Sequence, residues 1–175
     1  MTDADSTESP APDHRNVERV TRAAAERGLR IEVRRFPAGT RTAEDAARAV
    51  GCEVAQIVKS LVFTADGRVV IALVSGADRL DTARLARVLD ATSVRRASAD
   101  EARAATGYAI GGIPPLGHAQ PVPVVIDRHL LEHSTVWAAA GLPDAVFSVD
   151  PRALAEAAGA QVAEVAAVTD DPSGS

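Results

Sequence analysis

Cysteine is nearly missing from this chain. Cys52 stands alone in 175 residues, so no internal disulfide can form and no cysteine-based zinc site exists. Its position just past Gly51 fits core packing better than nucleophilic chemistry. Aromatic residues are almost as scarce, at 3% of a chain that is 46% apolar, so alanine, valine and leucine must fill the interior. No apolar run approaches the ~20 residues of a membrane span. The first 13 residues are acidic and polar, without the apolar segment of a signal peptide. A soluble, cytoplasmic protein is expected. The net charge of −5 argues against a surface that coats nucleic acid, while leaving room for a local basic patch.

Lysine is the other rarity. Lys59 is the only one, and the remaining 18 basic side chains are all arginine. It sits in an apolar, partly β-branched run, Gln56 to Phe63, that leads to Asp66-Gly67, a strong two-residue hairpin signal. A second run, Val69 to Val74, follows, so the pair predicts an antiparallel hairpin with Lys59 opposite Val74. Ile57, Leu61 and Phe63 share its row. An ammonium there is expensive to bury unless something anionic or dipolar meets it. Two readings fit: a strand-end lysine that snorkels to water or pairs with a carboxylate, and a point charge held for chemistry or phosphate binding.

The length suits one domain, taken as residues 14–168 between low-hydrophobicity, disordered tails at 1–13 and 169–175. The pattern predicts a helix from Arg15 to Gly28 and a strand from Ile31 to Phe36. Thr42 opens a helix that Gly51 ends; after the hairpin, Asp81 opens another through Leu89. A short strand near Ser93–Arg95 precedes Ser98, where Glu101 completes a capping box for a helix ending at Gly107. Strands are expected at Pro123–Asp127, Thr135–Ala139 and Ala145–Val149. Asp150-Pro151 caps a last helix, and a strand is expected over Gln161–Val168. Mixed order with at least one hairpin gives an α/β or α+β domain with a mixed sheet, not a doubly wound parallel one.

The segment Gly107 to His118 packs four glycines and two prolines into 12 residues and cannot form a regular element. Such a loop can aim backbone N–H groups at an anion or developing oxyanion, or be an ordinary turn region. Neither phosphate-binding nor dinucleotide glycine spacing is present. Further on, His129-Leu130-Leu131-Glu132-His133 matches an inverted zinc-peptidase pattern. Scarcely two turns of helix fit there, and a short capped helix with surface histidines is the competing reading.

Four stretches in order, QIVKSLVF at Lys59, LDTARLARVLDA from Leu80, TGYAIGGIPPLGH from Thr106 and PVVID ending at Asp127, carry a resemblance to the YbaK/EbsC family of aminoacyl-tRNA editing domains. The family includes free-standing deacylases and the editing insertion of bacterial prolyl-tRNA synthetases, and the resemblance covers roughly Arg15 to Val165. It implies a curved, mostly antiparallel, barrel-like mixed sheet flanked by helices. It also implies metal-free hydrolysis, without a cofactor, of the ester joining a wrong amino acid to tRNA. The family's critical lysine falls on Lys59 and its glycine-loop residues on Gly111, Gly112 and Pro115.

These residues suit ester hydrolysis. Gly111 and Gly112 N–H groups would hold the oxyanion, and Lys59 would hold the terminal phosphate or ribose or neutralise developing charge. No Ser-His-Asp or Cys-His set lies in the matched stretches, so attack by an ordered water or a substrate group is expected. Phe36, Ser60, Tyr108, Pro115, Gly117, His118 and Ala139 are the expected substrate-binding residues, His118 with an ordinary loop role as its alternative. Family members that edit cysteine carry a small hydroxyl residue where this chain has Ala138-Ala139-Ala140, which points to a more apolar pocket. A mischarged tRNA(Pro), bound by its acceptor end, is the expected substrate and a synthetase a second candidate partner. A non-catalytic tRNA- or synthetase-binding module of the same fold is the alternative. Arg30, Arg34, Arg35 and Arg41 are either a phosphate-facing patch or a solvated surface.

Overall fold

The computed structural model describes residues 12–36 and 42–168. Residues 1–11 of the expected tail at 1–13, the expected tail at 169–175, and Arg41 lie outside the described residues. Helix α1 runs from Pro12 to Glu26, starting inside the stretch read as a tail, and buries Val20, Ala23 and Ala24. Gly28 ends it at φ +83°, letting the Leu29 amide turn back to the Ala24 carbonyl at 2.8 Å.

Local capping sets the next helices. The Thr42 hydroxyl accepts from the Asp45 amide at the head of α2 (Ala43–Val50). Asp81 accepts from the Ala83 and Arg84 amides at the head of α3 (Thr82–Leu89). Ser98 and Glu101 cap α4 (Ala99–Thr106) reciprocally, and Asp150 with Pro151 opens α5 (Pro151–Ala158).

Strands β2 (Val58–Ala65) and β3 (Arg68–Ser75) form the expected hairpin, with Lys59 opposite Val74. Asp66 at φ 49° and Gly67 at φ 84° make the tight turn, which requires positive φ at both positions. The remaining strands are β1 (Val33–Arg35), β4 (Val94–Arg96), β5 (Val124–Asp127), β6 (Val136–Ala139), β7 (Ala145–Val149) and β8 (Gln161–Ala163). They assemble as a five-stranded sheet, β4-β2-β3-β5-β8, and a three-stranded one, β1-β7-β6. Pairings β3–β5 and β5–β8 are parallel and the others antiparallel. A single Ile57–Trp137 bridge links the sheets.

The result is a mixed α+β domain with two sheets and five helices; among the described residues no closed barrel forms. The expected final strand is cut short because the Val165 and Ala166 amides leave the ladder for the Asp127 carboxylate. The main core lies between α1, α5 and the two sheets, around Ile71, Leu73, Ile126 and Phe147. A second, under α3, joins Phe63, Val74 and Leu85. No helix among the described residues is long and apolar enough to cross a membrane.

Candidate active site

Strand β2 pairs with β4 only over Phe63–Ala65 and meets β6 only at the Ile57–Trp137 bridge. Between those points no strand among the described residues pairs with its outer edge, and a cavity of about 350 Å³ opens there. Because the cavity borders an edge, residues of both strand faces reach it: Val58 and Ser60 from one, Lys59 and Leu61 from the other. The opposite wall is Trp137, Ala138 and Ala139 of β6 with Val146 of β7. Thr42, Ala43 and Ala46 close one end, and Ile110, Gly111, Ile113 and Pro143 form the loop side. The wall is largely apolar.

Lys59 is the cationic side chain of that lining. Its Nζ donates to the Asp78 carbonyl at 2.5 Å, the one hydrogen bond it makes among the described residues. An ammonium has three donors, so two remain for whatever enters. Burial pushes the amine below its ordinary value. Asp78 and Glu44 pull it back up, while Arg96 and Arg79 add to the depression. Ser60 Oγ is sealed from water and has no hydrogen-bond partner among the described residues. An unmade bond of that kind costs about 1–3 kcal/mol.

The glycine loop is more differentiated than its composition. Gly111 occupies φ +100°, and the Gly112 amide donates to the Ala109 carbonyl at 3.1 Å, closing a tight turn. This corrects the expectation of two free donors. The Gly112 N–H is already used, and the Gly111 N–H is the one without a partner among the described residues. Gly112 matters sterically instead: a Cβ there would stand 2.8 Å from Leu142 backbone atoms.

Lys59, Ser60, Gly111 and Ala139 thus share one cavity, and other expected residues lie elsewhere. Tyr108 is 1% exposed in the main core, its ring stacked under the Arg19 guanidinium at 4.6 Å. Pro115, Gly117 and His118 line a different, wider cavity of about 670 Å³ with Arg27 and Arg68. There Gly117 passes close to α1, where a Cβ would meet that of Ala23 at 2.6 Å. His118 Nε2 donates to the Pro114 carbonyl at 2.7 Å, and burial lowers its pKa. Phe36 is half-buried at the end of β1, its amide on the Asp144 carbonyl, and is not part of the lining. Of the arginine group, Arg34 lies over the Trp137 ring at 5.3 Å and Arg35 pairs with Asp144 at 3.2 Å.

The His129–His133 segment is a five-residue 3₁₀ turn, Arg128–Glu132, with His133 extended beyond it. At three residues per turn the two imidazoles do not share a face as the zinc pattern requires. His129 Nδ1 meets Asp78 Oδ2 at 2.8 Å instead. Asp127, 1% exposed, accepts from the amides of His129, Val165 and Ala166. Asp78, Asp127 and His129 thus form one hydrogen-bonded cluster. Nothing local in the sequence marked Asp78, since its importance comes from a turn 19 residues beyond Lys59.

A family model described as the aminoacyl-tRNA editing domain matches residues 37–157. The chain belongs to the aminoacyl-tRNA editing domain family. A solved structure described as a candidate trans-editing enzyme for prolyl-tRNA synthetase superposes on this editing domain with a TM-score of 0.84. It is 44% identical and is covered along 100% of its length by 91% of the chain. The uncharacterized protein YwhH of Bacillus subtilis is 31% identical over 125 residues, 71% of this chain and 80% of that protein. The proline–tRNA ligase of Acidithiobacillus ferrooxidans is 35% identical over 93 residues, 53% of this chain but 16% of the ligase. The match to the ligase is to one segment of a much longer protein.

Proposed function

We propose that this editing domain acts in trans as an aminoacyl-tRNA deacylase, hydrolysing the ester of a mischarged tRNA, with tRNA(Pro) the first candidate. The observation that carries the reading is that a partly buried lysine and a glycine-turn amide without a partner among the described residues line one apolar-walled cavity. Water attacks the ester carbonyl, the carbonyl oxygen becomes an oxyanion, and the terminal ribose hydroxyl leaves with a proton. Free amino acid and tRNA are the products. The Gly111 N–H points a fixed dipole at the oxyanion, and Lys59 supplies positive charge to the oxyanion or to the ribose and terminal phosphate. Against a largely apolar wall both effects are stronger than in bulk water. The Ala138-Ala139 wall with Val146 receives the amino-acid side chain, and Arg34 beside Trp137 lies within reach of the RNA end.

Relatives support this direction: one solved neighbour carries a trans-editing description, and the ligase match is to a prolyl enzyme. The test is a panel of aminoacyl-tRNAs, with alanyl-, cysteinyl- and seryl-tRNA(Pro) foremost, incubated with wild type and Lys59→Ala. Loss of one ester with wild type only is the expected result. No cleavage across the panel, or equal cleavage by Lys59→Ala, overturns the assignment and leaves a tRNA- or synthetase-binding module. Binding to tRNA should weaken steeply with salt.

A further inference from the structure

Lys59 is held by a main-chain carbonyl, and that carbonyl belongs to a turn whose position needs explaining. The base of the turn is tied to the sheet. The Gly76 amide donates to the Ile57 carbonyl at 2.7 Å, the Asp78 amide to the Ser75 carbonyl at 3.0 Å, and the Ala167 amide to the Arg79 carbonyl at 2.7 Å. A side chain at Gly76 would stand 2.7 Å from the Val54 carbonyl, so the turn is pressed against its neighbour as well. At the tip, the Asp78 carboxylate reaches the His129 ring at 2.8 Å. His129 is itself fixed through its amide to Asp127 at 3.1 Å, and Asp127 is anchored in the sheet through the Val165 and Ala166 amides. A continuous path therefore runs from the buried end of β5, through His129 and Asp78, to Nζ of Lys59.

We propose that Asp78 and His129 are positioning residues for Lys59, forming a tether whose outer link is a titratable imidazole open to water. The inference rests on the reading of Lys59 as the working group of the site. Asp78 is the shared member: its carbonyl accepts one Lys59 hydrogen bond and its carboxylate accepts that of His129, so a change in one contact is transmitted within a single residue. The groups facing His129 are Asp78, Asp127 and Glu132, all acidic, and they raise its pKa, the Asp78 hydrogen bond most of all. The groups facing Lys59 are Asp78, Glu44, Arg96 and Arg79. The ion pair is complete below the ordinary histidine range and is lost as pH rises through the raised value. Its loss leaves the Asp78 carboxylate uncompensated, which favours the Lys59 ammonium and loosens the carbonyl that orients it. The side chain of His129 is 58% exposed, so the switch responds directly to solvent.

Because Lys59 is the only lysine, protein grown with ¹³C-labelled lysine carries one side-chain reporter. Its Cε signal is titrated by NMR in wild type, His129→Asn and His129→Gln, with thermal melts confirming that each folds. His129→Asn keeps an N–H near the place of Nδ1 but cannot charge. The wild-type Lys59 signal is expected to show a small step where His129 titrates, followed by its own titration, and both variants are expected to lose the first step. Deacylation by His129→Gln should fall about two- to fivefold in kcat with KM little changed, the range for one partly exposed charge-assisted contact. His129→Asn should recover part of this and show no matching step in its pH profile. An identical Lys59 titration in wild type and both variants overturns the tether, whatever the activity. A step that vanishes in the variants, in a protein that cleaves no ester, keeps the tether and refutes the deacylase reading alone.

Discussion

Gly111 and Gly112 are adjacent, yet replacing each by alanine tests a different force. At Gly112 the backbone is ordinary and space is absent: the new Cβ would lie 2.8 Å from both Cα and C of Leu142 and 2.9 Å from its N. Those atoms are main chain and cannot rotate away, so the loop or the Leu142 segment must shift by several tenths of an ångström. Overpacking of this kind costs about 1–3 kcal/mol. At Gly111 space is open, with Pro143 Cγ the nearest atom at 3.9 Å, but φ is +100°. There the cost is backbone strain, also about 1–3 kcal/mol. The two variants separate in the site. Gly112→Ala moves the turn relative to Leu142 and Pro143, so the Gly111 amide leaves its place and deacylation falls more than stability explains. Urea unfolding gives the stability change from the midpoint at constant slope, and single-turnover deacylation under conditions where both variants are folded gives the rate. Gly112→Ala with wild-type midpoint and wild-type rate would refute the steric reading of that residue.

Three further outcomes are expected. Asp127→Ala leaves the buried Val165 and Ala166 amides without their acceptor, and at about 1–3 kcal/mol each the loss is about 2–6 kcal/mol by urea unfolding; a change under 1 kcal/mol would mean that water replaces the carboxylate. Lys59→Met should be at least as stable as wild type while inactive, because burial lowers the Lys59 pKa and the folded state therefore disfavours its charge; a clear drop in the urea midpoint contradicts this. Arg95 and the Ser98 amide hold the Glu101 carboxyl at about 2, down from 4.5, so its contribution is full above that ordinary value and fades as pH falls toward 2. Glu101→Gln should flatten that part of the acid melting profile, and an unchanged profile would remove Glu101 from it.

What the sequence made legible was local. Asp66-Gly67 and strict alternation were enough for the Lys59–Val74 register, and Thr42, Asp81, Ser98 and Asp150 each capped the helix they preceded. These features depend on neighbours a few residues away. The site depends on distant ones. Ala139 and Lys59 are 80 positions apart and meet because β6 approaches the free edge of β2. Pro115 and His118 follow Gly111 closely in sequence, yet the loop turns them to another cavity. The Gly112 amide is taken up by the Ala109 carbonyl in a turn that composition alone does not specify, and Tyr108 is drawn into the core by its ring. The Asp78–His129 contact crosses 51 residues without any motif to announce it.

The two walls of the cavity belong to different sheets, joined among the described residues by one backbone bridge and by the side chains packed between them. Lys59 rides on the larger sheet, and Ala138, Ala139 and Val146 ride on the smaller. The gap between them is set by side-chain bulk, since no ladder of hydrogen bonds fixes it. A lineage can therefore enlarge or narrow the alanine–valine wall by single substitutions on β6 and β7 while the wall that carries Lys59 and its supports stay as they are. On the proposed deacylase reading, substrate choice and bond-breaking would be free to evolve at separate rates within one small domain.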